Sequence, residues 1–322
     1  MKKYLWIIIA LIVLLGSTVL VSANGGPHGG YTASTDACAG CHRTHTATGP
    51  RLLVSDSTYG LCISCHGSSA QGANTNVEDG FYLSTRDDSV ADENHGAANT
   101  PDGSPLLGGG FLYYDDLGVT SSHDMSGPNV SLLAWGNGGT RGEVTAISDP
   151  EFSCASCHDP HGSPNYRILK TDVNGISIQV DQVDEDAKDY DTEQWGAGTS
   201  SLCAACHIAY HETDANVGSD TGAQDYGGGF THRVDMPYHY RNNDNPETVG
   251  FTDAFGTNVR VPLAQSSAGD YVVCMTCHLP HGSSTTMFGN ANGSGLPGET
   301  AENDSALLRL DNRGVCQACH QK

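Results

Sequence analysis

No cysteine in this 322-residue chain stands alone. All twelve lie in six Cys-x-x-Cys-His segments: Cys38/Cys41/His42, Cys62/Cys65/His66, Cys154/Cys157/His158, Cys203/Cys206/His207, Cys274/Cys277/His278 and Cys316/Cys319/His320. No thiol is left for a disulfide or a nucleophile. Basic side chains are scarce: 15 Lys and Arg face 37 Asp and Glu, a formal net charge of −22, and so acidic a surface repels nucleic acid and anionic lipid. Aromatics supply only 7% of the residues while glycine alone accounts for 40. That is too polar a chain for an ordinary large core, and by composition parts of it lean toward disorder. Methionine is limited to five residues, the initiator included.

The six-fold motif is what the sequence has in abundance. Structural zinc, a thioredoxin-like pair and disulfide bonding all use Cys-x-x-Cys. A four-thiolate zinc site does not need His directly after the second Cys each time, and a thioredoxin motif occurs once, beside a βαβ pattern. Six copies each closed by His match c-type haem attachment, in which two thiols add to the haem vinyl groups and the imidazole takes one axial site on the iron. Cys38, Cys41, Cys62, Cys65, Cys154, Cys157, Cys203, Cys206, Cys274, Cys277, Cys316 and Cys319 are thus read as attachment residues for six haem c groups. His42, His66, His158, His207, His278 and His320 are read as the proximal iron ligands.

Met1, Lys2 and Lys3 precede an apolar run from Tyr4 to Val21, and Val21-Ser22-Ala23 supplies small residues before Asn24. This pattern predicts a secretory signal peptide, residues 1–23, cleaved after Ala23. An uncleaved membrane anchor is the alternative. The expected location is secreted, extracellular or at the cell surface, with the periplasm as alternative, and no membrane span is expected after cleavage. Residues 24–322 are expected to form a single hexahaem cytochrome c domain.

The fold class expected is a mostly irregular, loop-rich multihaem cytochrome c with short helices at the haem motifs, a few short β-hairpins and a core organised by haem. The apo chain is expected to be largely unfolded, because haem supplies apolar volume that side chains do not. Irregular spacing between motifs argues against a solenoid. Asn174-Gly175 within Arg167 to Val183 predicts a two-residue hairpin turn, and Glu143 to Ile147 and Asn258 to Leu263 read as shorter strands. The glycine-punctuated segments Leu107-Gly108-Gly109-Gly110-Phe111 and Tyr226-Gly227-Gly228-Gly229-Phe230 are expected to return distal ligands. The acidic stretch Asp181 to Asp191 reads as a solvated loop, with a calcium site as the alternative.

Nine histidines remain beyond the proximal six: His28, His45, His95, His123, His161, His211, His232, His239 and His281. They suffice for bis-histidine ligation of every iron, whereas the methionines do not. His45, His161 and His281 each stand three residues after a proximal histidine. Three residues span at most about 10 to 11 Å, too little to round a porphyrin edge to the same iron, so these histidines must serve other haems. His123 and His232 end long loops and are read as distal ligands too. His239 is taken as the sixth, with His28, His95 and His211 as alternatives.

The order of motifs resembles the extracellular multihaem cytochrome nanowire family, the hexahaem OmcS type with OmcE-type relatives. The features that carry the resemblance are Cys38-x-x-Cys41-His42-x-x-His45 near the mature N-terminus, a second motif soon after, His123 behind a glycine-rich loop, Cys154-x-x-Cys157-His158-Asp159-Pro160-His161-Gly162, a fifth motif with His281 and a terminal sixth. The resemblance implies a continuous haem chain and subunits joined head to tail. It also implies that His45 ligates a haem of the adjacent subunit, that of His278.

The function expected is non-enzymatic electron transfer along a homopolymeric extracellular filament, with redox proteins or extracellular electron acceptors as partners. A monomeric periplasmic or surface electron shuttle is the second reading. A multihaem nitrogen- or sulfur-compound reductase is the third; it needs an iron with an open axial position, while here every motif ends in His.

Overall fold

The computed structural model describes residues 28, 37–68, 73, 75–82, 105–125, 133–135, 144–146, 152–181, 196–210, 223–226, 229–238, 251–252, 258–259, 261–266, 269–288 and 305–320. The predicted signal segment, residues 182–191 of the acidic stretch, and His95, His211 and His239 lie outside these.

The described chain is loop-rich. Every haem motif opens on a short helical turn: Ala37–Gly40, Thr58–His66, Cys154–Cys157, Ser200–Ala204, Cys274–Cys277 and Val315–Cys319. The spacing dictates this, since one turn closes a bond from the histidine N–H back to the first cysteine carbonyl. It does so at His42 (2.7 Å), His158 (3.0 Å), His207 (2.8 Å), His278 (3.0 Å) and His320 (2.9 Å). The third residue of two motifs helps to start the turn: the hydroxyls of Ser156 and Thr276 accept the N–H of Ser153 and Val273, satisfying donors that a helix start leaves open.

The helix does not cover the whole motif everywhere, as at the fourth site. There it ends at Ala204, and Cys206 lies beyond it in a turn. The reason is a tightening of the last turn: Cys206 N–H reaches back three residues to the Cys203 carbonyl (3.1 Å), a common way for a helix to close.

Strands are two to four residues long and pair locally and antiparallel, as in Thr75–Asn76 with Phe81–Tyr82 and Tyr113–Tyr114 with Leu117–Gly118. Asp172–Val173 pairs with Ile176–Ser177 around Asn174 (φ 54°) and Gly175 (φ 80°), the left-handed pair that the Asn-Gly turn requires. The hairpin is shorter than the apolar pattern from Arg167 to Val183 predicts. Val144–Ala146 and Asn258–Val259 are strands where two were expected.

Two long-range features matter for the site. Ser121–Ser122 pairs with Gly282–Ser283, and Gly109 bridges Gly282 in parallel, so the first glycine-rich loop is tied to the turn after the fifth motif. Gly109 is obligatory there on two counts: φ is +80°, and a Cβ would run into the Gly282 carbonyl oxygen. Gly109→Ala is expected to destabilise the loaded protein by about 2 kcal/mol or more, read as a lowered denaturant midpoint.

Packing is parcelled rather than central. Ala197, Ala264 and Val273 form one buried cluster, Leu169, Ile178 and Val180 a second, and Val261, Val315 and Ala318 a third. Each touches a haem motif, through Met275, Leu202 and Cys277 respectively.

Candidate haem sites

No disulfide joins any of the twelve cysteines, and consecutive motifs lie side by side. Cys62 hydrogen-bonds Cys154, and Cys203 hydrogen-bonds Cys274. Those contacts, with burial, push the Cys62 and Cys203 thiols up. Cys41 stands close to Cys62 and Cys65, Cys157 to Cys203, and Cys277 to Cys316 and Cys319. The six motifs therefore follow one another in space as they do in sequence.

Cys206 has a different neighbour from its sister Cys203. The Asn174 side-chain amide donates to the Ala205 carbonyl (2.9 Å) and lies 3.6 Å from the Cys206 sulfur. Asn174 was legible only as a turn former; its side chain also braces the fourth motif, and a thioether sulfur at Cys206 keeps a lone pair for that weak contact.

Eight histidines are held in one tautomer by a backbone partner. Nδ1–H donates to a carbonyl at His42 (Arg51, 2.8 Å), His158 (Arg167, 2.8 Å), His278 (Ala306, 2.9 Å), His28 (Pro160, 3.0 Å), His232 (Arg233, 2.8 Å), His281 (Gly109, 3.3 Å) and His123 (Pro280). At His66 the Nδ1–H faces the Thr75 hydroxyl (2.9 Å) and the Thr75 carbonyl (3.3 Å), and the carbonyl, which only accepts, fixes the tautomer. A proton fixed on Nδ1 leaves Nε2 as the free lone pair and orients the ring, the usual support behind a metal-bound imidazole.

Burial holds five of these rings, His66, His123, His158, His278 and His281, in the neutral form. Desolvation lowers His66 to about 4 and His281 to about 3. The same cause lowers His123, His158 and His278, opposed in each by the backbone hydrogen bond. Neutral imidazole is the form that binds iron.

Ring pairs give the test of fit. Two metal–imidazole bonds of about 2.0 Å, with each nitrogen about 1.1 Å from its ring centroid, hold coaxial rings about 6.2 Å apart. Ring centroids lie 6.2 Å apart for His28 and His66, 6.2 Å for His42 and His161, 6.2 Å for His123 and His207, 6.4 Å for His158 and His281, and 6.2 Å for His232 and His320. Each pair joins one proximal histidine to one other. The residues fit a bis-histidine haem at five motifs. Among the described residues, no ring contact is made by His278 or by the exposed His45.

His28 stands opposite His66, although its place far from any loop return gave sequence reasoning no reason to prefer it over His239. The signal is a repeat that irregular spacing hides. Each odd-numbered motif is bridged to a leucine: His42 to Leu53, His158 to Leu169 and His278 to Leu308. The Nδ1 acceptor lies 9, 9 and 28 residues beyond its histidine. It opens a left-handed pair each time, Arg51-Leu52, Arg167-Ile168 and Ala306-Leu307. Ser163 and Ser283, two residues after His161 and His281, donate to the Leu169 and Leu308 carbonyls.

Three units result, each an upstream histidine, a Cys-x-x-Cys-His-x-x-His motif, the left-handed pair and a second motif. The first unit starts at His28, the second at His123 and the third at His232. In every unit the upstream histidine faces the second motif. Histidines 161 and 281 reach instead into the unit before.

Twelve thiols on six helical turns, with imidazoles backed by carbonyls and facing one another at metal-spanning distance, define a multihaem c-type cytochrome. In agreement, the family described as the doubled CXXCH motif matches residues 28–71 and 149–176, which hold the first unit and the Cys154 to Ile168 part of the second. Among solved structures the chain is similar to an outer membrane cytochrome S filament from Geobacter sulfurreducens, with 16% identity, 88% of this chain and 98% of that chain covered, and a TM-score of 0.45. No curated protein matches the chain.

Proposed function

We propose that this protein is a non-enzymatic electron carrier with six bis-histidine haems, polymerised head to tail into an extracellular filament. When bound, haem iron supplies reversible one-electron oxidation and reduction. The protein's part is to hold both axial positions and to set the groups in a row. His28, His161, His281, His123 and His232 are the distal ligands facing His66, His42, His158, His207 and His320. Closure of both faces leaves no position for a substrate, which disfavours the reductase reading. The row of motifs, with Cys62 against Cys154, Cys203 against Cys274 and the other neighbouring motifs close by, supports the continuity that electron transfer between haems needs.

The observation that carries the filament is a ligand count that does not close among the described residues of one chain. His281 of the third unit reaches the second, and His161 of the second reaches the first. By the same step His45 of the first unit reaches the third unit of another copy, where His278 has no facing ring among the described residues. One surplus ligand at one end and one deficit at the other is a heterologous contact, and such a contact forms an open filament. The surface or periplasmic shuttle is the reading left if the contact does not form.

Electron microscopy of the purified, haem-loaded protein decides between them. Filaments with all haems low-spin are expected. Discrete single-chain particles with every iron six-coordinate would overturn the filament.

A further inference from the structure

The residue at the base of each odd-motif arm occupies the same backbone position three times. The carbonyl of Leu52 accepts from Arg43 N–H (2.9 Å), that of Ile168 from Asp159 N–H (2.7 Å) and that of Leu307 from Leu279 N–H (2.8 Å). All three are left-handed, at φ 62°, 52° and 62°. The donor in each case directly follows the proximal histidine and lies on the arm that carries the histidine three residues on.

Their surroundings differ. Ile168 is 7% exposed and Leu307 is half-buried, whereas Leu52 is 49% exposed. The difference follows the unit order: the second and third units send His161 and His281 into a preceding unit, and the first unit has none within its own chain. Leu52 is thus more open than either counterpart, on the one unit that has no preceding unit in its own chain.

We propose that the face formed by Leu52 and the His45 arm is the protein contact surface for the third unit of a second copy, so that the joint between copies repeats the joint between units. This rests on the head-to-tail reading above and adds to it a surface that contributes beyond iron ligation. Leu117 is more exposed still, at 61%, but lies on the Tyr113–Leu117 hairpin, which has no counterpart among the described residues of the other units, and falls outside the contact.

The test uses the full haem-loaded chain carrying Leu52→Asp, with Leu117→Asp as the control, compared by electron microscopy and sedimentation. A carboxylate placed in a closed apolar contact is costly, so Leu52→Asp is expected to cut filament mass about tenfold or more with haem content unchanged. Leu117→Asp is expected to assemble as wild type. Leu52→Ala, which introduces no charge, is expected to give shorter filaments and serves if the aspartate variant loads haem poorly. Wild-type filament yield from both Leu52 variants, or equal loss from Leu117→Asp, overturns this surface while the head-to-tail reading stands. Absence of filaments from the wild-type protein overturns both.

Discussion

His45→Ala is expected to abolish filaments and leave one haem in six with an open axial position. The histidine is exposed and has no ring contact among the described residues, so its loss removes nothing from the folded chain itself. On the head-to-tail reading proposed above, it removes the ligand that each copy gives to the next. Fraction high-spin, read by electron paramagnetic resonance, should approach one in six while particle size falls to a single chain. Free imidazole should then return the spectrum to low-spin without restoring filaments, because it fills the iron and bridges nothing. His281→Ala provides the contrast: its ring faces His158 within the chain, so that variant opens a haem and still assembles. Filaments of normal length from His45→Ala would exclude this histidine as the link.

Withholding haem is expected to leave the chain without cooperative structure. The buried clusters hold three side chains each, and no strand among the described residues exceeds four residues. Two-stranded hairpins of that length are marginal in water without a face to pack on, and chain entropy costs about 1 to 2 kcal/mol per residue. A haem held between each facing pair would tie segments far apart, as where the ring of His161 faces His42 and that of His207 faces His123. Expressed where haem is not attached, the chain should show a coil-like far-ultraviolet spectrum and rapid amide exchange throughout. A sigmoidal thermal transition in the apo chain would contradict this account.

Some elements were legible because their cause is local. The motif turns follow from Cys-x-x-Cys-His spacing, and the turn at Asn174-Gly175 follows from the left-handed φ those two residues tolerate. The reach of three residues sufficed to turn His161 and His281 from the proximal histidines of their own motifs toward His42 and His158. The contact of Asn174 with Ala205 and Cys206 was not legible, because it joins segments about thirty residues apart. The three-unit repeat was hidden, because equivalent contacts lie 9, 9 and 28 residues from their histidines. His28 could not be ranked from its neighbours, since its placement depends on a carbonyl in the third motif's turn. His239 lies outside the described residues.

The sequence alone showed the chemistry on offer: six Cys-x-x-Cys-His segments that indicate c-type haem, the imidazole beside each, and no thiol left for anything else. Those are properties of residue type and short spacing, where covalent geometry leaves little freedom. Tertiary structure alone decided which imidazole faces which, and hence that, among the described histidines, His45 and His278 face no other ring. Facing depends on how loops of unequal length return through space, and nothing in composition or periodicity encodes that return.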